Sequence, residues 1–318
     1  MSWPARGLLV IIAAFALGLG LGPEPAAAQP ADDAARAACQ GPESGHAQRI
    51  AGCSQVIEAG RDSGHALAIA YCNRGYALVE TQQYDAAIAD LDHAVQADAK
   101  YACAYLNRGR AYALKGDYQR AVADYDQAIR LERKLALAYN NRGDAHLHRG
   151  DPDRAIADFS TAIRLDRKFI LAYANRAAAW DAKGAFAREL ADLNRALAIA
   201  PGTIELLLQR GNFWRDRRRL DRALADYAQV VRRAPGDARG WRNRGMIHLL
   251  RDEDDKGIAD YNEAIRLDPN DAISYSNRGR ALLAKGERSA AAADFRKALE
   301  LQPDLTAAAD GLRESETR

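Results

Sequence analysis

One tripeptide returns along this chain every 34 residues, and that period constrains the fold more than any other property. Asn73-Arg74-Gly75 is followed by Asn107-Arg108-Gly109, Asn141-Arg142-Gly143, Asn175-Arg176-Ala177, Gln209-Arg210-Gly211, Asn243-Arg244-Gly245 and Asn277-Arg278-Gly279. Asp90, Asp124, Asp158, Asp192, Asp226, Asp260 and Asp294 keep the same step. So do Ala94, Ala128, Ala162, Ala196, Ala264 and Ala298, with Val230 as the one exception in that column. A fixed period of this length marks stacked copies of one supersecondary unit, not a core assembled from distant segments. The 318 residues would otherwise suggest about two globular domains.

Each copy reads as two helices. In the third, Ala138, Tyr139, Arg142, Gly143 and His146 recur at helical spacing, and Gly150 ends the first helix. Asp151 suits the next N-cap and Pro152 its first turn, where a missing N–H costs nothing. Ala155, Ile156, Phe159, Ala162 and Ile163 then form an apolar face. Pro201-Gly202, Pro235-Gly236, Pro269-Asn270 and Pro303-Asp304 break the chain between copies. One such hairpin cannot bury both its faces, so the copies must stack. Composition agrees: 68 residues are alanine and only 7% are aromatic, which suits closely approaching helices.

These residues carry a family resemblance. The 34-residue period, with an aromatic as at Tyr139, then Gly143, Ala155, Phe159, Ala162 and a unit-ending proline as at Pro201, resembles the tetratricopeptide repeat in seven tandem copies over residues 68–305. The resemblance implies an all-α fold, a right-handed α-α superhelical solenoid of helix-turn-helix repeats, and it says little about function. Departures are visible. Ala99, Arg133 and Arg167 replace the proline; Gln82, Arg218 and Asp252 replace the turn glycine; Glu189 takes a small-residue position and Gly257 thins the sixth copy. The junction of the fourth and fifth copies is expected to be the least regular.

Outside the repeats, residues 1–28 have the layout of a cleaved export signal: Arg6, an apolar run from Leu8 to Leu21, then Ala26-Ala27-Ala28. The run is shorter than the ~18 residues that cross a bilayer comfortably, so no stable membrane span is expected, and the mature protein is expected to be periplasmic or secreted. Residues 29–67 read as a degenerate capping hairpin and 306–318 as a C-terminal capping helix and tail. In an oxidising compartment Cys39 and Cys53, one on each helix of the leading hairpin, are expected to form a disulfide. Cys72 and Cys103 lie on first helices of neighbouring copies, where a second bridge and free buried thiols are both open.

Among candidate functional residues, the recurring arginines from Arg74 to Arg278 each have an aspartate one helix later, which predicts a structural ladder that fixes register. The asparagines beside them, Asn73, Asn107, Asn141, Asn175, Gln209, Asn243 and Asn277, would form one row along the first helices. In tetratricopeptide arrays those helices line the concave face, and the resemblance implies that such a row can hold an extended polypeptide. A primary amide offers a donor and an acceptor that match a strand-like backbone. Capping or bridging between helices is the alternative use. Lysines and arginines that would clamp a C-terminal carboxylate are missing, because Cys72, Leu106 and Ala174 stand there; Leu106, Ala113, Leu137, Leu147 and Leu171 suggest an apolar early groove instead.

Net charge is only +2, which excludes a generic basic nucleic-acid binder. It conceals a basic segment from Ile204 to Arg251, twelve arginines against five carboxylates, with Arg215, Arg217, Arg218, Arg219 and Arg222 at its centre. That segment is either a solvated face or a dock for an anionic glycan, lipid or acidic protein. His146 and His248 take positions held elsewhere by aromatics and are expected to pack. No CxxC, phosphate loop or nucleophile elbow occurs, so no cofactor, metal or catalytic residue is expected. The sequence therefore points to an exported protein-interaction scaffold binding an extended peptide or partner helix.

Overall fold

The computed structural model describes residues 30–317, and the expected export signal at 1–28 lies outside the described residues. Among those residues there are 17 α-helices and no strand. The fold is an all-α helical repeat solenoid that resolves into two compact units, divided between Ala145 and His146.

In the first unit, α1 (Pro30–Gln40) and α2 (His46–Glu58) make the leading hairpin. They are followed by α3 (Gly64–Glu80) with α4 (Tyr84–Ala97), and α5 (Ala102–Leu114) with α6 (Tyr118–Leu131). Helix α7 (Ala136–His148) contains the boundary. The leading hairpin is small and buries little: Ala35, Cys39, Cys53 and Val56, packed with Ala70 of α3, are its core. The Cys39–Cys53 disulfide staples it, with Cα atoms 4.5 Å apart. A bidentate Arg36–Asp62 pair at 2.8 and 2.9 Å ties its first helix to the segment after its second.

The second unit continues with α8 (Pro152–Leu165), then α9 (Ile170–Ala182) with α10 (Phe186–Ile199), and α11 (Ile204–Asp216) with α12 (Leu220–Arg233). Helices α13 (Ala238–Leu249) with α14 (Asp254–Leu267), α15 (Ala272–Ala284) with α16 (Arg288–Leu301), and the single α17 (Thr306–Glu316) complete it.

The same physics builds each hairpin. One large side chain of the second helix, such as Tyr125, Tyr227 or Phe295, is fully buried against a glycine of the first. A Cβ at Gly109 would lie 2.8 Å from Tyr125, and one at Gly211 would lie 2.5 Å from Tyr227, so these glycines are required by close approach. Each buried ring contributes about 1.5–3 kcal/mol, and the alanine columns on either side let the helices close on it.

The intra-repeat turns depend on a left-handed residue after the first helix. Gly116, Gly150, Gly184 and Gly286 supply it, and so do Gln82, Arg218 and Asp252, at φ 61°, 56° and 58°. The turn geometry therefore survives loss of glycine at the three departures noted in the sequence, at a steric cost of about 1–2 kcal/mol each.

Among the described junctions between repeats, α10 and α11 pack over the smallest contact, as expected for the fourth and fifth copies. Close by, Glu189, a carboxylate 7% exposed, occupies a position that is small elsewhere, with Arg217 3.1 Å from it.

Candidate functional site

The arginine–aspartate ladder is present and does more than pair helices within a repeat. Arg74, Arg108, Arg176, Arg210, Arg244 and Arg278 each hold the aspartate sixteen residues later through Nε and Nη2, at 2.6–2.9 Å. In most rungs Nη1 turns to the second helix of the preceding repeat. Arg108 reaches Asp92 at 2.6 Å, Arg142 Asp126 at 2.5 Å, Arg176 Ser160 at 2.8 Å, and Arg210 and Arg278 reach Asn194 and Asn262. Arg74 finds Ser54 of the leading hairpin at 2.9 Å.

One guanidinium thus joins three helices, and its planar fork is the reason arginine and not lysine recurs. An aromatic one turn earlier covers it: Tyr71, Tyr105, Tyr139, Tyr173, Trp241 and Tyr275 lie 4.8–5.8 Å from the respective Cζ. Burial pushes the Asp124 carboxyl up even against Arg108, so the rung's desolvation offsets much of its attraction. The aspartates are legible in the sequence, and the preceding-repeat partners are not. Asp92, Asp126, Ser160, Asn194 and Asn262 keep the 34-residue step but vary in identity, so the column escapes notice.

The amide row is not uniform. In the first unit Asn73 is half-buried and makes no side-chain hydrogen bond to a described residue. Asn107 is committed to bridging: its Nδ2 lies 3.3 Å from the Cys72 sulfur and 3.4 Å from that of Cys103. Asn141 is buried and accepts from Asn140 Nδ2 at 3.3 Å. Leu106 belongs to the core around Tyr125, and Ala113 and Leu137 pack on that core from its edge, so the apolar groove is narrower than the leucine pattern suggests.

In the second unit Asn175 is 3% exposed, while Gln209, Asn243 and Asn277 are half-buried. Gln209 Oε1 on α11 and, two repeats on, Ser276 Oγ on α15 are buried with no hydrogen-bond partner among the described residues. Around this row the first-helix face is polar: Arg242 pairs with Asp271 at 3.1 Å and Arg239 with Glu205 at 3.4 Å, while Arg280 is exposed.

The basic segment divides into used and unused charge. Arg215 pairs with Asp216, and Arg251 with Asp221 and Glu253. Arg217 lies between the Phe186 and Phe213 rings, 3.8 Å from each, and binds Glu189, which locks the α9–α10 turn to the α11–α12 turn. Arg218, Arg219 and Arg222 are exposed and have no described carboxylate within 4.0 Å, and Arg188 on α10 matches them. Arg188 stacks on Trp180 at 4.7 Å and Arg222 on Trp214 at 4.5 Å.

These arginines sit at two helix N-termini with no side-chain cap. The N-cap residues of α10 and α12 are Ala185 and Arg219, whereas Asp117 and Asp151 cap α6 and α8 by accepting from Arg120 N and Arg154 N. Two amide-rich helix ends and four unpaired guanidiniums therefore face solvent together.

His146 and His248 are buried, as their column predicts, and His248 Nδ1 bonds Glu253 Oε2 at 2.7 Å. No group of three His, Cys, Asp or Glu that could hold a metal occurs among the described residues, and no described helix is long and apolar enough to cross a membrane.

Tetratricopeptide repeat family models match residues 72–136, 115–168, 140–203, 214–272 and, with a second such model, 272–305. No curated protein sequence matches the chain. Among solved structures, the Cut9 and Hcn1 hetero-tetramer of the APC/C is similar at TM-score 0.61 and 17% identity, over 86% of this chain and 53% of that one. This chain thus spans about half of that relative's length. A tetratricopeptide repeat protein from Parabacteroides merdae gives 0.59 at 18% identity, over 79% and 100%. PilW, described as a widely conserved type IV pilus biogenesis factor, gives 0.58 at 19%, over 63% and 92%. At these identities the likeness is one of fold.

Proposed function

Because this chain belongs to the tetratricopeptide repeat family, we propose that it is an exported protein-interaction scaffold whose first-helix faces take up an extended polypeptide. The observation that carries this reading is the unmet hydrogen-bonding capacity in the second unit. Half-buried Asn243 makes no side-chain hydrogen bond to a described residue, and half-buried Gln209 stands one repeat before it in the row. A primary amide with unused donor and acceptor capacity matches the N–H and C=O of a strand-like backbone laid along these helices. Exposed Arg280 on a first helix favours a segment carrying a carboxylate. Export is supported by the layout of residues 1–28 and by the Cys39–Cys53 bridge.

The test is selection of unstructured peptides from a displayed random library on the full chain, followed by Asn243→Ala with Gln209→Ala. The proposal expects at least a tenfold loss of peptide affinity with unchanged far-UV circular dichroism. Unaltered affinity would overturn it.

A second reading rests on the unpaired arginines. Arg188, Arg218, Arg219 and Arg222, at the uncapped starts of α10 and α12, form a dock for an anionic component of the cell envelope, glycan or lipid. Binding of anionic vesicles or acidic polysaccharide should fall with salt and vanish in Arg218→Glu, Arg219→Glu, Arg222→Glu. Salt-independent binding would exclude it.

A further inference from the structure

The junction of the first two repeats holds two thiols that the peptide-binding reading does not use. Cys72 on α3 is fully buried among Leu78, Leu91 and Ala104, and Cys103 on α5 is half-buried at the edge of the same cluster. Their sulfurs are 3.3 Å apart, with the Cys72 thiol donating to Cys103. Asn107 Nδ2 stands over both sulfurs at 3.3 and 3.4 Å. The other two cysteines are already joined to each other, so this pair has no competing partner in the chain.

We propose that Cys72 and Cys103 form a reversible disulfide by exchange with an external disulfide, covalently fastening the first helices of the first and second repeats. The sulfurs need only close from 3.3 Å to about 2.0 Å, a small side-chain adjustment. The two thiols have different roles because they differ in access. Cys103 is the less buried of the two and is held below the usual thiol range by the hydrogen bond from Cys72, with Tyr101 and Asn107 adding to the effect and burial opposing it. Cys72 is sealed, and its pKa is pushed well up because its proton is held by Cys103 and because it is buried. A thiolate attacks and a thiol does not, so Cys103 is the attacking residue and Cys72 the resolving one.

In the first step the Cys103 thiolate attacks one sulfur of the external disulfide, forming a mixed disulfide and releasing one external thiolate. That thiolate takes up the Cys72 proton. The Cys72 sulfur then attacks Cys103, forming the intramolecular bond and displacing the second external thiolate, which is protonated by solvent. The two cysteines lose two electrons in all, and the external disulfide gains them as it becomes two thiols.

The experiment uses the full chain in glutathione buffers of graded poise, with acid quenching, unfolding, alkylation and mass spectrometry of the peptides. The expected result is a Cys72–Cys103 linked peptide in oxidising buffer, loss of both alkylation sites, and full return of both on reduction, with Cys39–Cys53 remaining joined at poises that reopen the new bond. Both thiols staying alkylatable throughout, or yielding only intermolecular dimers, would overturn the proposal. Cys72→Ala should trap glutathione on Cys103, whereas Cys103→Ala should leave Cys72 unmodified in the folded chain. Modification of Cys72 at an undiminished rate in Cys103→Ala would reject the assigned order of attack. The wild-type redox titration decides the central point even where a variant folds poorly.

Discussion

Replacing Asp124 by alanine isolates one rung of the ladder. Its carboxylate receives Arg108 Nε at 2.8 Å and Nη2 at 2.7 Å, and the two side chains are only 18% and 9% exposed. Breaking a buried pair from one side costs about 3–5 kcal/mol when nothing replaces the lost partner. Here Asp92, 45% exposed, still accepts from Nη1 at 2.6 Å. A half-exposed pair of that kind returns at most about 1 kcal/mol, leaving an expected loss of about 2–4 kcal/mol.

The paired replacement Arg108→Met with Asp124→Leu should restore stability to within about 1 kcal/mol of the parent, because it removes the buried charges together. Urea denaturation followed by far-UV circular dichroism reads both variants. In the chain without residues 1–28, and so without Trp3, tryptophan fluorescence of Trp180, Trp214 and Trp241 follows the second unit alone and reveals whether the units unfold together. An unchanged midpoint in Asp124→Ala, or a double variant as weak as the single one, would refute the view that these rungs fix register more than they stabilise.

Other expectations follow from particular contacts. Gly211→Ala places a Cβ 2.5 Å from fully buried Tyr227, and overpacking of that kind should lower stability by about 1–3 kcal/mol in the same denaturation assay. Asp252→Gly relieves a residue at φ 58° and should raise stability by about 0.5–1 kcal/mol once glycine's greater unfolded-state entropy is subtracted. Glu253 is held down to about 2 from its ordinary 4.5 by hydrogen bonds from Lys256 and His248. Its folded pKa is depressed, so its stabilising contribution is present above pH 4.5 and lost as pH falls toward 2. Acid titration of the melting temperature should be shallower over that window in Glu253→Gln.

The fold was legible because a repeat states its own register: Asn73-Arg74-Gly75 and its copies place every hairpin before any helix is assigned. The turns at Gln82, Arg218 and Asp252 were legible as departures, yet their left-handed geometry depends on neighbouring hairpins that hold it. The site was less legible. A row of identical letters does not mean identical environments, because Asn107 answers to two sulfurs that only two repeats possess, and Asn141 to an asparagine found in one. The basic segment was misleading as a sum of charges. Arg217 is consumed by Glu189 and two phenylalanines, whereas Arg188, outside the segment, joins Arg222 through a shared stacking position.

The central claim is that first-helix faces hold an extended polypeptide. A photo-crosslinking amino acid placed at Met246, on the first-helix face of α13, and separately at Arg232, exposed on α12, tests it most directly against a peptide selected on the full chain. The account predicts crosslinks from position 246, abolished by excess unlabelled peptide, and none from position 232. Crosslinks from 232 alone, or from both with equal yield, would contradict it.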